Sequence, residues 1–70
     1  MAGFDLNLLA PLDALLETRS VTEAARRLGV SQPTMSGMLA RLRDRMRDPL
    51  LVRIGRRMEL TPRATAIAQE

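Results

Sequence analysis

The chain has no cysteine, no histidine, no tyrosine and no lysine among its 70 residues. Without cysteine no disulfide can brace the fold, which agrees with a reducing compartment. Without cysteine or histidine, thiolate–imidazole zinc sites, Cys–His nucleophiles and imidazole bases are excluded. With tyrosine also missing, acid–base chemistry would fall to carboxylates whose spacing does not pair them. The expectation is therefore a non-enzyme with no catalytic, metal or cofactor-binding residues. No apolar run approaches the roughly 20 residues of a membrane span, and no charged-then-apolar signal segment opens the chain. This length allows one small domain, because about 60 residues bury only roughly 60% of their unfolded surface. The broad class is a soluble, cytoplasmic, mostly helical domain with a thin core.

Charge is more informative in its placement than in its total. The formal net charge is +3, but residues 19–63 hold all eleven arginines against four acids, a local balance of +7. Residues 1–18 carry three acids and no base. An acidic head on a basic body is the asymmetry of a polyanion binder. A solvated arginine-rich face without a partner is the competing reading.

Apolar periodicity places the elements. Leu8, Leu9, Leu12, Leu15 and Leu16 form a helical stripe, predicting a first helix over residues 7–18. Asp5 or Asn7 is the candidate N-cap, and Asn7 is preferred because it keeps Pro11 near the first turn. The stripe reads as core, with a partner interface as the alternative. Ser20 and Glu23 fit a capping box for a second helix over 21–28, with Val21, Ala24, Ala25 and Leu28 inward. Gly29 ends that helix in the left-handed conformation. Ser31 then caps a third helix, with Pro33 in its first turn, running to about Arg47 because Asp48 precedes Pro49. On a helical wheel Met35, Met38, Leu39, Leu42 and Met46 face the core. Gln32, Pro33, Ser36, Gly37, Ala40, Arg43 and Arg47 face outward, low in bulk at the N-terminal end and basic at the other.

Two helices joined by a glycine turn make a helix-turn-helix, over about residues 21–40, whose second helix suits a DNA major groove. Gln32 has the chemistry to pair bidentately with adenine. Beyond Pro49 two strand-like runs, 50–54 and 58–60, flank Gly55-Arg56-Arg57. This predicts a hairpin wing with arginines at its tip, able to reach phosphates or a minor groove. A plain connecting hairpin is the alternative. At least one of Leu51, Ile54 and Leu60 must pack on the helices, since an isolated hairpin is barely stable. Thr61-Pro62 restarts a helix, which the chain leaves in mid-course at Glu70. The fold class is mainly α, a winged helix-turn-helix with a three-helix core, a two-stranded wing and the start of a linker helix.

The stretches DLNLL (5–9), VTEAARRLGVSQPTMS (21–36), DPLLVR (48–53) and LTPRA (60–64) resemble the N-terminal DNA-binding domain of LysR-type transcriptional regulators. The Ser-Gln-Pro-x-x-Ser core is the most specific part. The pattern is closer to the branch of nodulation and naphthalene-degradation regulators than to that of the cysteine regulator. The resemblance implies a bacterial regulator domain over 4–61, with 62–70 beginning a linker helix for dimerisation. It implies base-reading residues at Gln32, Pro33 and Ser36, and phosphate contacts near Thr22, Ser31, Thr34, Arg56 and Arg57. Many family members carry arginine where this chain has Gly37, which shifts the expected grip to Arg43, Arg47 and the wing. The implied partners are double-stranded operator DNA with an inverted repeat and a second copy of the chain. Higher oligomers are expected of the full-length protein. An inducer site is implied in an effector domain outside these residues. A small helical protein-interaction module and a winged-helix regulator of another family remain as alternatives.

Overall fold

A computed structural model describes residues 6–69. The order is a 3-10 turn at Leu6–Leu8, then α1 (Leu9–Thr18), α2 (Val21–Leu28), α3 (Gln32–Met46), β1 (Leu51–Ile54), β2 (Arg57–Leu60) and α4 (Pro62–Ala68). Three helices enclose one core. Leu8, Leu12 and Leu15 from the first stripe meet Ala24 and Ala25 of α2 and Met35, Leu39 and Leu42 of α3. Ala24 and Ala25 lack bulk, so α2 lies close against its neighbours, and both are almost fully buried.

The first helix departs from its expected start. Its cap is Leu8, with no side-chain cap hydrogen bond, because the 3-10 turn leads straight into α1. Asn7 lies within that turn and is not the cap, and the candidate Asp5 lies outside the described residues. Pro11 is then the third residue of α1, where its missing N–H still costs no hydrogen bond. The later start also turns Leu9 half out of the core, while Pro11 and Ala14 are buried instead.

The caps of the later helices follow the sequence closely. Ser20 Oγ accepts from Glu23 N at 3.1 Å. The reciprocal half of that capping box is absent: Ser20 N donates to Thr18 Oγ1, and Glu23 instead pairs with Arg26 at 3.1 Å. Gly29 sits at φ 71°, and Val30 N donates to Ala25 O at 3.0 Å, the six-residue closure that ends a helix on glycine. Across the turn, Arg27 pairs with Glu17 and ties α2 to α1.

The two strands pair antiparallel, with Leu51 opposite Leu60 and Ile54 opposite Arg57. The loop is therefore only Gly55-Arg56, and Arg57 belongs to β2. Positive φ at Gly55 but not at Arg56 is the glycine-first pattern of a two-residue hairpin. Leu51 anchors the wing with 1% exposure, Leu60 packs partly, and Ile54 at 62% exposed contributes nothing to the core. Thr61 Oγ1 accepts from Ala64 N at 3.1 Å to cap α4, and Ala64 is fully buried, so the first turn of α4 completes the core.

Candidate nucleic-acid interface

The exposed end of α3 is built by its cap. Ser31 Oγ accepts from Thr34 N at 3.2 Å while its hydroxyl donates to Thr34 Oγ1 at 2.9 Å. With the first turn locked this way, Gln32, Pro33, Ser36, Gly37 and Ala40 all lie exposed on one side, and Met35 and Leu39 are buried on the other. The outward face is flat and slightly polar. A β-carbon built on Gly37 meets nothing within 4 Å, so this position opens directly to solvent.

Beside that face lies a groove of about 260 Å³ lined by Ser20, Val21, Thr22, Gln32, Ser36, Arg53 and Met58. It joins three elements that are separate in sequence: the start of α2, the start of α3 and the wing. Thr22, Gln32 and Ser36 of the expected site meet there, with Arg53 as the cation. Arg53 was not singled out from the sequence. The signal was available in strand alternation: Leu51 must face the core, so Arg53, two residues on, faces the same side of the hairpin.

That same alternation divides the wing arginines. Arg53 and Met58 pair across the strands and overlook the groove. Arg57 pairs with Ile54 on the opposite face, where its guanidinium reaches Glu59 at 3.3 Å. Such an exposed ion pair contributes little and exchanges readily for another anion. Arg56 occupies the tip of the turn.

The two arginines expected at the far end of α3 also part company. Arg47 is the left-handed residue that ends the helix, at φ 51°, with an exposed side chain. Arg43 turns back onto the chain: its Nε donates to Pro49 O at 2.8 Å and a terminal N–H to Leu51 O at 3.0 Å. Helical-wheel reasoning places Arg43 outward but does not show the connector that passes beneath it. Asp48, within that connector, accepts from Thr61 Oγ1 at 2.6 Å and from Leu50 N at 2.8 Å. The Thr61 hydroxyl, more than the Leu50 N–H and the nearby Arg63 charge, holds the Asp48 carboxyl below its ordinary range against the opposing effect of burial.

Comparison with known proteins bears on the family and the fold. The family model of the bacterial regulatory helix-turn-helix protein, lysR family, matches residues 6–65. Nodulation protein D 1 of Neorhizobium galegae is 56% identical over 66 residues, covering 94% of this chain and 21% of the relative. Nodulation protein D 3 of Rhizobium meliloti (strain 1021) is 54% identical over the same length, again 94% and 21%. The chain thus spans about a fifth of the length of these relatives. Among solved structures, a probable transcriptional regulator from Pseudomonas aeruginosa superposes with a TM-score of 0.86 at 44% identity, over 94% of this chain and 22% of that one. The BenM DNA-binding domain in complex with catB site 1 DNA superposes at 0.81 with 30% identity, over 94% and 74%. No helix among the described residues is long and apolar enough to cross a membrane. With the match spanning both the helix-turn-helix and the wing, the chain belongs to the lysR family of bacterial regulatory helix-turn-helix proteins and forms its winged helix-turn-helix domain.

Proposed function

We propose that this domain binds double-stranded operator DNA for a bacterial transcriptional regulator. The free face of α3 enters the major groove, and the hairpin lies on the flanking backbone or minor groove. The observation that carries this reading is the groove where Thr22, Gln32, Ser36 and Arg53 converge beside an α3 face free of bulk. Gln32, Pro33 and Ser36 are placed to meet base edges, and Thr22, Ser31, Thr34, Arg53 and Arg56 to meet phosphates. Arg47 and Arg57 flank this surface and add charge. Phosphate contacts supply most of the affinity, and the few residues at the start of α3 supply the sequence preference. Support comes from the DNA complexes of the BenM and CbnR domains, with TM-scores of 0.81 and 0.79 at 30% identity.

In the full-length regulator, α4 would continue into a dimer helix, so that two domains meet an inverted repeat with half-sites one helical turn or a multiple of it apart. The domain uses no cofactor and catalyses nothing, and inducer recognition belongs to the effector domain. A cytoplasmic location follows from the target. The test is enrichment of duplexes from a random pool by the chain, followed by fluorescence anisotropy at 50–200 mM salt. A shared half-site motif and an affinity that falls steeply with salt are expected. No binding at 50 mM salt would favour a protein-interaction module instead.

A further inference from the structure

The connector between α3 and β1 is unusual in its backbone. Arg47 and Leu50 adopt φ of 51° and 64°, left-handed values that non-glycine residues rarely take. Leu50 does so while 2% exposed. A conformation of this kind persists only when its surroundings hold it.

Here the turn is closed by its own backbone, Leu51 N donating to Pro49 O at 2.6 Å, and is braced by the side chains of Arg43, Asp48 and Thr61. Arg43, on α3, bridges the carbonyls of Pro49 and Leu51. Asp48 accepts from Leu50 N on one side and from Thr61 Oγ1, the cap of α4, on the other. Thr61 N closes the loop by donating to Leu50 O at 2.9 Å. The strained residue therefore has both backbone polar groups engaged, and both neighbouring carbonyls are held by one planar guanidinium.

We infer that Arg43 and Asp48 are positioning residues for DNA binding, fixing the hairpin at its distance from α3 and tying that setting to the first turn of α4. Arg53 overlooks the groove only because β1 leaves this connector at a set angle. Two of the five Arg43 donors are engaged by backbone carbonyls, which ties its guanidinium to the connector. This inference rests on the proposed use of the wing against DNA.

Charge makes the idea testable by sign. Asp48→Ala removes a negative charge from a domain that binds a polyanion, so Coulomb attraction alone predicts tighter binding. Positioning predicts the reverse, because the wing loses its phosphates. Each lost contact takes about 0.9 from the salt slope and about eightfold from affinity at 0.1 M salt. Arg43→Lys keeps the charge of a phosphate ligand but loses the planar fork that spans two carbonyls.

The experiment measures anisotropy of the chain on a duplex enriched from a random pool, across 50–200 mM KCl, with circular dichroism to check folding. Arg53→Ala/Arg56→Ala serves as the wing control and is expected to flatten the slope. Asp48→Ala and Arg43→Lys are then expected to flatten it similarly and to add no further loss when combined with the wing control. Thr61→Ser, which keeps the hydroxyl, is expected to match wild type. Tighter binding by Asp48→Ala, or wild-type behaviour of Arg43→Lys, overturns the inference while leaving the wing reading intact. A wing control with an unchanged slope overturns both. Should Asp48→Ala fail to fold, Arg43→Lys read in the same way decides the matter.

Discussion

Replacing Gly37 with alanine isolates what this glycine does. It sits in the interior of α3 with no positive φ, and a β-carbon there meets nothing within 4 Å. Its conformational freedom is thus unused in the folded state. Alanine in a helix interior is favoured over glycine by about 0.8–1 kcal/mol, and nothing in the surroundings opposes the added methyl. In a domain of this size, about 1 kcal/mol raises Tm by roughly 4–8 °C. Differential scanning calorimetry of the chain would read that shift directly. Because the methyl projects from the outward face without enlarging it much, affinity for an enriched duplex is expected to stay within about twofold. Gly37→Arg, filling the same open space, is expected to steepen the salt slope by about one phosphate equivalent. A lower Tm for Gly37→Ala would mean that position 37 is packed, and the placement of α3's free face would fall with it.

Four further outcomes are expected. Gln32→Ala should cost about 1–3 kcal/mol on the preferred duplex and relax selection at one base position, whereas an equal loss on scrambled DNA would remove its base-reading role. Arg53→Ala should weaken binding to all duplexes alike and lower the salt slope by about one equivalent, and an unchanged slope would take Arg53 off the DNA. Ala25→Leu places extra volume where α2 packs at 4% exposure and should destabilise by about 1–3 kcal/mol in thermal melts; a wild-type Tm would contradict the crossing. Asp48 has its folded pKa below the ordinary value of 3.8, so its contribution is complete above that pH and is lost as pH falls through the folded value. Acid titration of Asp48→Ala should therefore show a shallower loss of stability below pH 3.8 than wild type, and parallel curves would refute the assignment.

The sequence by itself determined α2, α3 and the start of α4, because their signals are local. Ser20, Ser31 and Thr61 cap the helices they precede, Gly29 ends α2, and the apolar spacing of Met35, Leu39 and Leu42 turns one side of α3 inward. Each depends only on neighbours within about four residues. Composition settled as much about chemistry, by leaving no thiol or imidazole. The family resemblance was legible for the same reason: its motifs are short and contiguous.

Tertiary structure decided what local signals cannot encode. Whether Asn7 or Leu8 precedes the first helix depended on a 3-10 turn that no residue pattern announced. A two-residue loop rather than a three-residue one moved Arg57 into β2 and turned it away from the groove. Arg53 gained its place only when the hairpin folded back over the starts of α2 and α3. Arg43, outward on an isolated helix, was recruited by carbonyls six and eight residues along the chain. Helix periodicity says which way a side chain leaves its own axis; what it then meets is set by the connector's path, and that path is held by contacts between α3, the wing and α4.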